Sequence, residues 1–354
     1  MEAGRIGWGV LGAAGVARRR FLPALQEARN GYLVAVGSRS VDRAATVVQA
    51  VGQGRAAGSY EEVLEDPAVD AVYIPLPNSL HEPWTRNALA AGKHVLCEKP
   101  LALRAAAVEE LAHAADAAGR VVMEGFMYRL HPQYEPAVWQ PLVEQIGPLR
   151  SAHVRMSYPF HRPGDIRENA TLGGGALWDI GCYCLDILTW QLGEPLEVHA
   201  MGDLRDGLDW TTAAQLRFAS GVLASAWWSF AGPLSQRLSL VGERGTLDLD
   251  SPFRAYGPAG AWLDSGGGMR RVELPTDNCF RREIEHFGDV VDGLASPAVP
   301  LSDSARWLRV AEAVDQQVRG MMPAASRLGG TRDGVEGSRA PADLRERVGQ
   351  PRDR

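Results

Sequence analysis

Residues 5–17 read RIGWGVLGAAGVA. An apolar run from Ile6 to Leu11 stops at Gly12 and passes through Ala13-Ala14-Gly15-Val16 to Ala17. A buried strand that ends in a glycine turn and opens a helix is the first unit of a parallel sheet. The dinucleotide form of that turn is G-x-G-x-x-G/A. Here Gly12 makes the tight turn, Ala14 replaces the second glycine, and Ala17 supplies the small residue where helix packs on strand. The Ala14 methyl lets a pyrophosphate approach less closely than hydrogen would, and Gly15 keeps the loop open. The helix start at Val16 then offers unpaired N–H groups and a positive dipole end to phosphates.

Outward from this loop, strand and helix alternate. YLVAVGS (32–38), AVYIPLP (71–77), KHVLC (93–97) and RVVME (120–124) read as strands, each an unbroken apolar run. Between them, 41–51, 79–92 and 104–119 read as helices, the last two stopped by Gly. Pro23 opens the second half of the first helix, and Ser59 with Glu62 forms a capping-box pattern. Such alternation predicts an α/β fold: an N-terminal Rossmann domain over 1–125 whose parallel sheet is covered on both faces. Strand two ends in Ser38-Arg39-Ser40, with Arg43 a helical turn on, and no carboxylate stands there for a ribose 2′-OH. A hydroxyl with guanidinium groups suits a 2′-phosphate, so the expected cofactor is NADP (NADPH), with NAD less favoured. The missing carboxylate also argues against S-adenosylmethionine.

Beyond residue 125 the pattern changes. Segments 150–160, 197–204, 212–219, 222–231 and 236–250 read as antiparallel strands, with VGERG a hairpin-like turn and one helix near 176–191. Helices at 280–294 and 304–320 follow. The reading is a second, α+β domain over 126–326 with a large, mostly antiparallel open sheet, whose last helices pack back on the first domain. Residues 327–354, rich in Gly, Arg, Asp and Glu, are expected to be a disordered tail. A formal charge of −6 argues against nucleic acid, and no run of 18 apolar residues suggests a membrane span. The N-terminus has no signal-type pattern, so the expected location is cytoplasmic. Cys97, Cys182, Cys184 and Cys279 fit neither a disulfide framework nor a zinc pair, and the histidines form no HExxH, so no metal is expected.

At the end of the fourth of these strands stand Glu98-Lys99-Pro100, where open α/β sheets bind ligands. With the glycine loop, VDAVYIPLPNSLH (69–81), AGKHVLCEKPL (91–101) and LGGGALWDIGCYCLD (172–186), the chain resembles the Gfo/Idh/MocA oxidoreductase family over residues 4–322. The resemblance implies that Lys99 lies near the reacting carbon and Glu98 at the nicotinamide ribose or amide. It also implies a Lys99–Pro100 bond that is often cis, and cofactor contacts at Pro77, Asn78 and His81. It implies too that the open sheet face meets another subunit, giving a homodimer or homotetramer. Trp227 and Trp228 fit this, since they point to opposite faces of one strand and at least one must be covered.

The family's D-x-G-x-H motif reads here Asp179-Ile180-Gly181-Cys182-Tyr183. Tyrosine for histidine resembles a branch of NADP-dependent xylose dehydrogenases, dihydrodiol dehydrogenases and sugar 3-ketoreductases. A phenol with a pKa near 10 would have to fall by about three units to act as a base at pH 7, Lys99 supplying one to three of them. As an acid it is already protonated, which favours carbonyl reduction. The expected function is hydride transfer between nicotinamide and a carbonyl or secondary alcohol of a sugar or sugar derivative, nucleotide-linked or free. Lys99, Tyr183 and Asp179 are the expected catalytic residues, Asp179 bonding a substrate hydroxyl or orienting Lys99. Arg129 and His131, and Asp165 and Arg167, are loop candidates for substrate contact. A non-catalytic NADP-binding sensor on the same fold is the alternative.

Overall fold

The strand quoted first, β1 (Ile6–Leu11), is buried at every position. It pairs in parallel with β2 (Gly31–Gly37) on one edge and β4 (Ala71–Ile74) on the other. With β3 (Arg55–Ala57), β5 (His94–Glu98) and β6 (Val122–Gly125) these form a six-stranded sheet in the order β3-β2-β1-β4-β5-β6. The order reverses beside β1, which opens the crevice at the strand ends where such sheets take ligands. These elements belong to a computed structural model that describes residues 4–160, 162–253 and 259–320. The tail expected at 327–354 lies outside the described residues.

Helices α1 (Leu22–Glu27), α2 (Val41–Val51), α3 (Glu61–Leu64), α4 (His81–Ala90) and α5 (Ala105–Ala118) connect the strands. Pro23 sits in the first turn of α1, as expected. At α3, Ser59 Oγ accepts from Glu62 N at 3.1 Å, while the Glu62 carboxylate accepts from Gly58 N at 3.1 Å. The capping box is therefore reciprocal, but its return bond reaches one residue further back.

The second sheet has eight strands. They are β7 (Leu149–Ser157), β8 (Pro195–Arg205), β9 (Leu208–Phe218), β10 (Leu223–Ser229), β11 (Ser235–Gly242), β12 (Thr246–Leu249), β13 (Ala259–Asp264) and β14 (Arg270–Leu274). Their order is β14-β13-β12-β11-β7-β10-β9-β8, and every pairing is antiparallel except β7 with β10. A helix, α6 (Pro136–Ile146), and the strands β3, β13 and β14 were not anticipated. Pro141 inside α6 breaks the helical signature, and the glycine-rich stretch 265–268 masks the hairpin of β13 and β14.

One face of this sheet is covered by a π-type turn at Leu177–Gly181 that runs into α7 (Cys182–Leu192). In β10, Ala224, Ala226 and Trp228 face inward and are buried, while Leu223, Ser225 and Trp227 alternate to the outer face. A Cβ at Gly181 would fall 2.7 Å from the Trp228 indole, so the turn can lie on that tryptophan only because residue 181 is glycine. Trp228 is thus covered by the chain itself. The closing helices α8 (Cys279–Val291) and α9 (Leu301–Gly320) return to the first sheet. Phe287 packs on Trp8 with ring centroids 5.2 Å apart, and Trp307 Nε1 donates to Glu124 Oε2 at 3.0 Å. Among the described residues no helix is long and apolar enough to cross a membrane.

Candidate active site

The end of β5 carries Glu98 and Lys99 to the mouth of the crevice, and the Lys99–Pro100 peptide is cis. Lys99 Nζ donates to the Asp179 backbone oxygen at 2.6 Å and lies 3.6 Å from Asp179 Oδ1. The first sheet thereby touches the turn that the second sheet supports. Asp209 of β9 fixes that turn: its Oδ2 accepts from Leu177 N at 2.7 Å and from Trp228 Nε1 at 3.0 Å. Gly175, at φ 111°, leaves room for this carboxylate, since a Cβ there would sit 2.4 Å from Asp209 Oδ1.

Asp179 is the hub of the site. Its Oδ2 accepts from the Tyr158 hydroxyl at 2.5 Å and lies 3.0 Å from Arg167 Nε. That nitrogen pairs with the carboxylate by charge, and among the described residues it has no well-aligned hydrogen-bond acceptor. Burial alone would raise the Asp179 carboxyl, but Lys99 and Arg167 outweigh it and hold the group below its ordinary value. Burial would likewise lower Lys99, yet the acidic groups around it keep its ammonium above the usual lysine value. At neutral pH this is an ionised pair.

Tyr183 lies beneath that pair, 8 % exposed. Lys99 Nζ stands 4.9 Å from the centre of its ring, over the face, and the hydroxyl points to Met127 Sδ at 3.8 Å. Burial, then Glu98 and other acidic neighbours, push the phenol well above 10. The expectation that Lys99 pulls this phenol down is therefore corrected. The ammonium meets the π face, and the rings of Phe126 and Phe253 pack against the Tyr183 ring with centroids 5.5 and 5.4 Å away. Tyr183 keeps its proton.

Two cavities meet at the glycine loop. The larger, about 1090 Å³, takes in Ala14, Gly15, Val16, Asn78, Glu98 and Lys99 and extends past Tyr158 and Asp165 to Arg167. The smaller, about 470 Å³, is lined by Gly12, Ala14, Ser38, Arg39, Arg43 and Pro77 together with Tyr60. Neither Arg39 nor Arg43 forms an ion pair among the described residues. Two uncompensated guanidinium groups at the end of β2 fit a phosphate, and so fit NADP as the group expected there. Glu98 accepts from Tyr73 at 2.6 Å and lines the larger cavity.

Three expected contacts are placed differently. Arg129 does not reach the cavity: its guanidinium is buried in ion pairs with Asp186 at 2.5 Å and Asp303 at 2.8 Å, so it serves the core. His131 is buried and accepts from Gln133 N at 3.2 Å. His81 reaches the cavity wall, but both ring nitrogens lie 2.7 Å from backbone oxygens, of Pro100 and of Leu76. Burial brings its pKa down to about 4, against the pull of those carbonyls, and a neutral ring has a single N–H to donate to one of them. Asp165 and Arg167 are both at the site, 3.0 Å apart. Tyr158, Asp209 and Tyr73 were missed. Tyr158 and Asp209 belong to no motif quoted above, Tyr73 lies inside 69–81 with nothing local to mark its hydroxyl, and Tyr158 reads simply as part of a strand.

Comparison with known proteins agrees with this geometry. Residues 6–126 match the oxidoreductase family with an NAD-binding Rossmann fold, and residues 143–248 match a GFO/IDH/MocA C-terminal domain. A D-xylose 1-dehydrogenase (NADP(+)) of Haloferax volcanii is 36 % identical over 315 residues, covering 87 % of this chain and 95 % of the relative. A dTDP-3,4-didehydro-2,6-dideoxy-alpha-D-glucose 3-reductase of Streptomyces violaceoruber is 35 % identical, covering 87 % and 93 %. Among solved structures, a 3-ketoreductase from Actinomadura kijaniata in complex with NADP and TDP-benzene superposes with a TM-score of 0.84. It is 33 % identical, and the match covers 89 % of this chain and 98 % of that one.

Proposed function

Because the chain belongs to the Gfo/Idh/MocA oxidoreductase family, we propose that it reduces a carbonyl of a sugar or sugar derivative with NADPH, and catalyses the reverse oxidation. The observation that carries this reading is Lys99 reaching from β5 to Asp179, with Tyr183 beneath, at the floor of the larger cavity. Gly12 to Val16 would hold the diphosphate, Ser38, Arg39 and Arg43 the 2′-phosphate, and Glu98 the nicotinamide half. The cofactor, when bound, supplies or takes up the hydride.

The chain's own groups handle the proton and the charge. Lys99 has three N–H donors. One is engaged by the Asp179 backbone oxygen and one faces its carboxylate, which leaves a donor for the reacting oxygen. That oxygen gains negative charge during reduction, and a fixed ammonium in a half-dry cavity stabilises it strongly. Tyr183, protonated and with only a thioether as partner, has its O–H available for the same oxygen. Asp179 keeps Lys99 charged and aimed. The open outer face of the second sheet, with Leu223 and Trp227, fits pairing with a second copy of the chain.

The test is an NADP(H)-coupled screen across aldoses, anhydrosugars and nucleotide-linked ketosugars. Turnover is expected for at least one class, with kcat falling by about 100-fold or more in Lys99→Ala and in Tyr183→Phe. Tight NADPH binding without turnover on any of them would favour the sensor instead.

A further inference from the structure

Glu124, in β6, is a carboxyl buried completely in the core of the first sheet. Among the described residues no cation pairs with it, and the charge it feels is that of Asp186, another carboxylate. Burying such a group is costly unless hydrogen bonds compensate. Here one stands at each oxygen. Oε1 accepts from Leu101 N at 2.8 Å, and Oε2 accepts from Trp307 Nε1 at 3.0 Å. Only a carboxyl presents an acceptor at both ends. A glutamine of the same shape would set its NH2 against one of the two donors.

The first donor matters because of where it lies. β5 ends at Glu98, which still pairs with Gly125 of β6. Lys99 is the first residue past that ladder, and Pro100 has no N–H. The Leu101 N–H is thus the first backbone donor beyond the lysine. The oxygen of the same peptide group, that of Pro100, lies 2.7 Å from His81 Nδ1. Lys99 is therefore held on one side by the sheet and on the other by Glu124. The second donor belongs to α9. That helix also takes the far end of the loop, where Glu312 Oε1 accepts from Ala105 N at 3.0 Å. Burial raises the Glu124 carboxyl to about 7, its hydrogen-bonding neighbours pulling the other way, so both its forms exist near neutral pH. Ser304 Oγ, one turn before Trp307, is buried beside it with no well-aligned partner and can take the proton of the acid form. Either form then keeps both N–H donors.

We infer that Glu124 is a positioning residue for Lys99: through Leu101 N it fixes where the ammonium stands over Asp179 and Tyr183, and through Trp307 it ties that setting to the docking of α9. Glu124 lines neither cavity, so it acts on the reaction only through the loop. The inference rests on the proposed function, because it takes Lys99 to stabilise the charge on the reacting oxygen.

The experiment compares Glu124→Gln, Trp307→Phe and the double variant in NADPH-dependent reduction of the best carbonyl substrate found by the screen. Glu124→Gln should lower kcat by about 10- to 100-fold, the scale of a small displacement of a reacting group. Its Kd for NADPH, read by fluorescence, should stay within about threefold of wild type, since the glycine loop and the end of β2 are untouched. Trp307→Phe keeps the Leu101 bond and should hold kcat within about threefold of wild type, at a lower Tm. In the double variant the amide oxygen has only Leu101 N to serve, so kcat should recover to the level of Trp307→Phe. A merely structural role for Glu124 makes the losses additive and the double variant the slowest of the three, and that result overturns the inference. Wild-type kcat in Glu124→Gln overturns it too. Where Glu124→Gln does not fold, an ester in place of the Leu101 amide removes the same donor and leaves Glu124 intact. There kcat should fall by about 10-fold or more, and an unchanged kcat is equally fatal. Each of these failures leaves the proposed function standing as long as Lys99→Ala is slow. A wild-type chain that turns over no carbonyl or alcohol removes both.

Discussion

Lys99 is a donor-only group held by an acceptor-only group, and that pairing decides what each neighbour can do. Tyr183 and Lys99 both hold their protons more firmly than the free side chains do, Tyr183 through burial and acidic neighbours, Lys99 through acidic neighbours that outweigh burial. If Tyr183 is the acid for reduction, as proposed, it is not exhausted near neutrality. The kcat for carbonyl reduction should stay level from about pH 7 to about pH 9, below both ordinary values. A pH–rate profile that falls with a midpoint near 7 or 8 would point to a different proton donor. Lys99, Asp179 and Tyr183 were legible in the sequence, because each sits in a contiguous motif that fixes it at a strand end or a helix start. Tyr158 was not, because its meaning comes from a bond to a residue 21 positions away. Arg129 misled for the converse reason. An arginine after the last Rossmann strand looks accessible until Asp186, 57 positions on, buries it.

The turn at Leu177–Gly181 shows how an element inherits precision from its supports. Asp209 accepts two hydrogen bonds on one oxygen, so Asn can take over both. Burial nevertheless pushes the Asp209 carboxyl up to about 6, the two hydrogen bonds pulling it the other way. The folded chain thus binds this proton more tightly than the unfolded chain, and its contribution to stability is lost as pH rises from about 4 to about 6. Asp209→Asn should remove that loss. The Tm of the variant relative to wild type should improve between pH 4 and pH 6.5 while kcat stays within a few-fold; a pH-independent gap would defeat this. Gly175→Ala should behave in the opposite way. A methyl 2.4 Å from Asp209 Oδ1, at φ 111°, forces the turn aside, so Tm and kcat should fall together. The periodic helices and apolar strands of the first sheet could be read directly, since pattern and burial agree. α6 and the β13–β14 hairpin could not, since Pro141 and the glycines at 266–268 break the pattern that packing then restores.

At the scale of the whole molecule the ion pairs Lys99–Asp179 and Arg129–Asp186 link the two halves, and α9 bonds to both β6 and β8. The outer face of the large sheet stays open in the single chain. If it pairs with a second copy, as proposed, Trp227→Glu should shift the mass seen by light scattering to that of a monomer, and leave the far-UV circular dichroism unchanged. A wild-type monomer at micromolar concentration would refute the pairing. The covered inner face was foreseeable from Trp227 and Trp228 alternating on β10. Which of the two is covered became clear only with Gly181 lying on the Trp228 indole.

The return of α8 and α9 to the first sheet also bears on the order in which the protein can be made. Trp8 of β1 rests on Phe287 of α8. Glu124 is capped by Trp307. The strands of the first sheet precede α8 and α9 in the chain by more than 100 residues, yet their core is closed by those helices. Nascent chains that end before about residue 290 should therefore hold an incomplete cofactor fold, and chaperone binding or protease sensitivity of stalled chains should persist until α9 has emerged.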